Sequence, residues 1–209
     1  MSTGKSGFGH SSSPYNGALT REQFLFIETR TTARLLTDGL DWEDVLKKIV
    51  EENLFQYPTE RMLRNIAQVC IKRLRTLNDP NLVSAVAREP SDVAKQICLY
   101  AMMRQYRLVG DFMVTVIGRK YQELDLSFTR VELNRFFSRL QTQDEHVASW
   151  SESTVTKLKQ VMTRILVMNS YLDSSRSDHL NPVLISPVLE ASIRSHGATV
   201  FLPAFNCLT

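Results

Sequence analysis

The sequence predicts an all-α chain, a compact multi-helix globular fold. Three observations carry this. Apolar residues recur at spacings of three and four along most of the length, no segment alternates strongly with period two, and capping residues stand ahead of the periodic runs. With 209 residues, 43% hydrophobic and 22% charged, the chain is long enough for one large helical core or two small ones in intimate contact.

Residues 1–16 are rich in Gly and Ser, lack the apolar core of a signal peptide and read as a flexible tail. Thr20, with Gln23 three residues on, predicts a capping box for a helix running to about Thr37, with Gly39 as its left-handed stop. Asp41 caps a helix over 42–52 whose buried stripe is Trp42, Val45, Leu46 and Ile49. A turn over 53–58 leads to a long helix at 59–77, which Asn78-Asp79-Pro80 ends. A short helix over 80–88 and one from a Ser91 cap to Met103 follow. A helix over 107–123 contains Gly110, which points to close packing or a small break. Thr129 and Glu132 form a capping box for a helix reaching Thr142. A short helix over 144–148 leads through Ser151 to one over 152–169. Residues 171–185 read as irregular, with room for a short hairpin. Ser186-Pro187 opens a last helix that Gly197 closes, and 198–209 is an apolar tail that packs back. The expected organisation is a tail at 1–16, an N-terminal helical bundle at 17–125 and a C-terminal helical region at 126–209. Each of the two regions carries one helix-turn-helix-like element.

The net charge is +3 and the pI about 8.8, which favours an anionic partner only where the charge is concentrated. The helix at 59–77 concentrates it. At about 100° per residue, Arg61, Arg64, Gln68, Lys72 and Arg75 share a sector of roughly 80°. Met62, Leu63, Ile66, Val69, Cys70, Leu74 and Leu77 lie opposite as the buried stripe. Between Tyr57 and Leu77 five basic residues (Arg61, Arg64, Lys72, Arg73, Arg75) face one acid, Glu60, a local charge of +4. Solvated helix faces usually mix signs; a one-sided strip suits a polyanion, whose condensed counterions are released on binding. An acid-capped helix, a turn and a basic helix is also the layout of a helix-turn-helix, whose second helix enters the major groove.

The segment 144–169 repeats the layout more weakly. Val155, Leu158, Val161, Met162, Ile165 and Leu166 form its buried stripe. Its other face carries Ser153, Thr156, Lys157, Gln160, Thr163 and Arg164, a donor-rich surface with Glu152 as its one acid. Trp150 reads as a core anchor rather than a base-stacking platform.

Other chemistries find little support. Cys70, Cys98 and Cys207 form no C-x-x-C pair and read as reduced thiols. The histidines His10, His146, His179 and His196 are scattered, without zinc-ligand spacing. Gly4-Lys5-Ser6 lacks the upstream glycine and preceding strand of a phosphate loop. Asp111 is expected to pair with Arg107 rather than act as a catalytic carboxylate. No apolar run approaches the ~18 residues of a membrane span. The expectation is a cytoplasmic protein that is not an enzyme, with no cofactor, metal, membrane or small-molecule substrate.

Several stretches, taken in order, resemble the BrxA family of bacteriophage exclusion (BREX) systems. They are Glu28-Thr29-Arg30, Ala33-Arg34-Leu35-Leu36 and Gly39-Leu40-Asp41-Trp42, then Glu52-Asn53-Leu54-Phe55-Gln56 leading to Arg73-Leu74-Arg75-Thr76-Leu77. Leu108-Val109-Gly110-Asp111-Phe112 and Trp150-Ser151-Glu152-Ser153-Thr154-Val155 follow. The resemblance covers about residues 15–195 and rests on order and spacing. It implies a small helical cytoplasmic protein with helix-turn-helix elements that binds double-stranded DNA without catalysis, with the BREX methyltransferase and ATPases as partners. The family is similar in part to NusB-like RNA-binding proteins. Duplex DNA, structured RNA and an acidic protein partner therefore all stand as readings of the basic strip.

Overall fold

Side-chain caps start most helices where the sequence places them. The computed structural model describes residues 14–207, so most of the expected tail, including Gly4-Lys5-Ser6 and His10, lies outside the described residues. Helix α1 spans Phe26–Thr37, α2 Trp42–Glu51, α3 Glu60–Leu77, α4 Pro80–Arg88 and α5 Ser91–Gln105. Helix α6 (Arg107–Phe112) continues through a π-helical stretch, Met113–Gly118, into α7 (Arg119–Gln122). Then come α8 (Arg130–Gln143), α9 (Glu145–Ala148), α10 (Glu152–Met168) and α11 (Pro187–Ser195), with 3-10 turns at Ala18–Thr20 and Thr199–Phe205. The Asp41, Thr59, Asp79, Asp144 and Ser151 side chains each accept from a backbone N–H of the helix that follows. Thr129 and Glu132 form the full capping box of α8. Gly39 (φ 96°) and Gly197 (φ 66°) take the left-handed conformation just past α1 and α11.

Four expectations are corrected. The first helix does not begin at a Thr20–Gln23 box: 21–25 is non-helical, and α1 starts after Leu25 at φ 51°. The cause lies about 50 residues away. The Arg73 guanidinium, 1% exposed, donates to the carbonyl oxygens of Glu22, Gln23 and Phe24, which α-helical pairing would otherwise claim. Ser91 is the first helical residue rather than a cap; Pro90 holds that position without a side-chain bond. Residues 171–185 form no hairpin. Instead 178–180 pairs with 126–128 through Phe128 N–H to the Asp178 carbonyl (2.8 Å) and Leu180 N–H to the Leu126 carbonyl (2.7 Å).

The fourth concerns the helix-turn-helix-like elements. Eight residues, 52–59, separate α2 from α3, against the three or four of such a turn. In the second element α9 is a single turn of four residues. The all-α class holds; the tight turn is missing from the first element, while in the second a three-residue turn, 149–151, follows a first helix of one turn.

One buried cluster draws on residues from Tyr15 to Phe205. A smaller one, Val45, Ile49, Leu63, Ala67 and Ile71, holds α2 to α3. Tyr15, placed by sequence in the flexible tail, is buried and donates to the Asp111 carboxylate, which also pairs with Arg107 at 3.4 Å as expected. The 199–205 segment packs back as expected and is buried from Phe201 to Phe205.

Gly110 is a close-packing glycine. A Cβ there would lie 2.6 Å from the Met103 carbonyl oxygen, backbone that cannot step aside. Gly110→Ala is expected to cost about 2–3 kcal/mol. A urea melt that moves by less than half of this would show that α5 and α6 can separate.

Candidate nucleic-acid interface

The capped α3 presents its strip as the periodicity requires: Arg61, Arg64, Gln68, Lys72 and Arg75 are all exposed. The strip is weaker than the sequence suggests. Arg64 is paired with Glu60 at 3.0 Å, and the Arg75 guanidinium lies 4.9 Å from the Trp42 ring centroid. Arg73, counted in the local charge of +4, belongs to the interior. Besides the three carbonyls it donates to the Tyr106 hydroxyl, which in turn donates to Glu22. Burial pushes the Tyr106 phenol above its ordinary value; Arg73 opposes this and Glu22 adds to it. The phenol therefore stays neutral and serves both partners. The helix wheel held the signal: Arg73 lies on the side of Ile66 and Leu77, away from the strip. The opposite stripe is also less buried than expected. Met62 is 45% exposed, and Ile66 and Val69 are half-buried.

The α10 face gains what α3 loses. Ser153, Thr156, Lys157, Gln160 and Arg164 are all exposed, and Trp150 is a half-buried packing residue beside His146. Between α8 and α10 runs a groove of about 620 Å³. Arg130, Lys159 and Arg164 supply its charge, Asn134, Thr156 and Gln160 its hydrogen-bonding groups, and no acid lines it. Lys159 donates to Asn134 at 2.8 Å and sits 5.6 Å from the Phe137 ring centroid, so its ammonium is positioned in advance. Sequence reasoning missed Arg130, Asn134 and Lys159, because they come from separate helices or fall off the wheel sector chosen for α10. Ser153 and Lys157 stand outside the groove.

The non-helical 21–25 segment joins the two faces. Arg164 donates to the Gln23 side-chain oxygen at 2.8 Å. Gln23 also lines a second groove, about 680 Å³, beside α3 with Arg21, Gln68 and Lys72 and with apolar Met62 and Ile66. A side chain of one groove thus holds an arginine of the other.

Elsewhere the chemistry is quiet. Burial pushes the Cys70 thiol up to about 11 and the Cys98 thiol up to about 12; both are free thiols, as is the half-buried Cys207. Among the described residues no His, Cys, Asp and Glu group is arranged to hold a metal ion, and no helix is long and apolar enough to cross a membrane.

Fold and site together define an all-helical protein with an acid-free cationic groove. The BrxA family model matches residues 13–197. The chain belongs to the BrxA family. A BREX protein BrxA of Bacillus cereus is 32% identical over 182 residues, 87% of this chain and 89% of that one. A BREX protein BrxA of Paramagnetospirillum magneticum is 25% identical, over 81% of this chain and 84% of its own. A crystal structure of an uncharacterized protein from Magnetospirillum magneticum shares the fold at a TM-score of 0.77 and 24% identity, covering 92% of this chain and 98% of that one.

Proposed function

We propose that this chain is a non-catalytic, double-stranded-DNA-binding component of a BREX-type phage-defence system, working beside that system's methyltransferase and ATPases. The observation that carries the reading is the groove between α8 and α10, where three cations and several amide and hydroxyl groups line one concave surface without an acid. Arginine forks and a lysine point charge suit phosphate oxygens, and Asn, Gln and Thr suit groove edges. The α3 strip extends the cationic surface, with Gln23 of the α3 groove bonded to Arg164 of the α8–α10 groove.

The test is a mobility shift on duplex DNA across a salt series. Three phosphate contacts from the groove alone give a slope of about −3 in log affinity against log salt, since each contributes about −0.9. Absent binding at low salt, or binding that ignores salt, overturns the reading. Competition between duplex DNA and structured RNA separates it from a NusB-type RNA function.

A protein-interaction scaffold is the second reading, favoured by the exposed Met62 beside Ile66 in the α3 groove. It expects capture of a partner that resists nuclease and is lost on Arg64→Glu.

A further inference from the structure

A second cluster of cations sits on the side of α8 turned away from the α10 groove. The π-helical stretch Met113–Gly118 and α7 lie against α8 there, leaving a pocket of about 290 Å³. Its floor is the Phe136 ring and Val116, and its walls carry Arg119, Lys120, Arg135 and Arg139. Three acids share the walls, and each is already engaged. Glu123 pairs with Arg119 at 2.7 Å. Asp125 accepts from Lys120 at 2.7 Å and from the Ser127 hydroxyl at 2.6 Å, and these bonds, that from Lys120 first, hold its carboxyl well below the usual range. Glu132 is tied to the Thr129 backbone N–H at 2.6 Å and to its hydroxyl at 2.9 Å, with Lys120 3.9 Å away.

The two remaining arginines pair with no carboxylate among the described residues. Arg135 makes no hydrogen bond or ion pair with any described residue. Arg139 donates to the Thr115 hydroxyl at 3.0 Å and lies 5.7 Å from the Phe136 ring centroid, so its guanidinium is fixed at the pocket but not neutralised. Like charges four residues apart on a helix repel, and an anion held between them relieves that repulsion. Guanidinium forks match phosphoryl oxygens, and the volume admits a phosphoryl group with a small appended moiety. The Thr115 hydroxyl that orients Arg139 belongs to the π-helical stretch, an irregularity found frequently at functional sites.

We propose that Arg135 and Arg139, with Thr115 positioning the latter, form a phosphoryl-anion site distinct from the α8–α10 groove. The site is independent of the DNA reading, so either can fail alone. Two sources share the chemistry, a free phosphorylated small molecule and a nucleic-acid backbone phosphate.

The test titrates inorganic pyrophosphate into the full chain by calorimetry at fixed ionic strength. Arg135→Ala with Arg139→Ala is expected to weaken pyrophosphate at least about tenfold, the loss of two charge-assisted contacts. Lys47→Ala with Arg88→Ala, exposed cations that line neither this pocket nor the two grooves, leaves it unchanged. Both replaced arginines are exposed, so the fold is kept, and circular dichroism verifies it. The same variant against duplex DNA separates the sources: unchanged duplex affinity points to a free anion, and weakened affinity to a backbone phosphate. No pyrophosphate binding up to about 10 mM, or full binding by the double variant, overturns the site.

Discussion

Arg73→Ala is expected to lower stability by about 3–5 kcal/mol, the range for removing one member of a buried charged network. Three backbone carbonyls and the Tyr106 hydroxyl lose their donor at once, and buried acceptors left unpaired are costly. At about 2–4 °C per kcal/mol for a chain of this size, the melting temperature falls by roughly 10 °C. Arg73→Lys should recover little, because one ammonium cannot span acceptors spread over three residues. A drop below about 1 kcal/mol in a denaturant melt would mean that 21–25 does not depend on this guanidinium.

The second large effect is on binding. Arg130→Glu, Lys159→Glu and Arg164→Glu together should weaken duplex DNA by about 100-fold or more, and reduce the salt slope by about three. Arg61→Ala with Arg64→Ala should weaken it by about tenfold or less, roughly uniformly across sequences, because Arg64 is already offset by Glu60. Mobility shifts on both variants decide it. A reversed order would place the main contact surface on α3.

This ordering inverts the one the sequence suggests, for a physical reason. Local signals are legible in a linear chain. Asp41, Thr129 with Glu132, and Ser151 cap the helices they precede as read, because a cap needs only its own next three residues; Thr59 and Asp79, read as a helix start and a breaker, prove to be caps as well. The exposed ring of Arg61, Arg64, Gln68, Lys72 and Arg75 is legible for the same reason: one helix and one period fix it. Contacts across long separations are not. Thr20 and Gln23 carry the letters of a capping box, but Arg73 takes the carbonyls. The groove needs Arg130 of α8 beside Lys159 of α10, a pairing that no single-helix projection contains. The exposed Met62 and half-buried Ile66 and Val69 are misjudged likewise, since periodicity names the apolar side of a helix and not what covers it.

The way Arg73 holds the 22–24 stretch has a consequence for how this region can vary. The grip is on backbone oxygens, which every amino acid has, so it places little demand on the identity of Gln23 or Phe24 as hydrogen-bond partners. It does demand their number. Inserting or deleting one residue between Gly17 and Phe26 would slide each oxygen past the nitrogen that meets it, and would carry Gln23 away from Arg164. The grip of Arg73 thus fixes the length of the stretch rather than its letters, the reverse of what an ordinary surface connection tolerates; the letters answer instead to Tyr106 at Glu22, Arg164 at Gln23 and the buried place of Phe24.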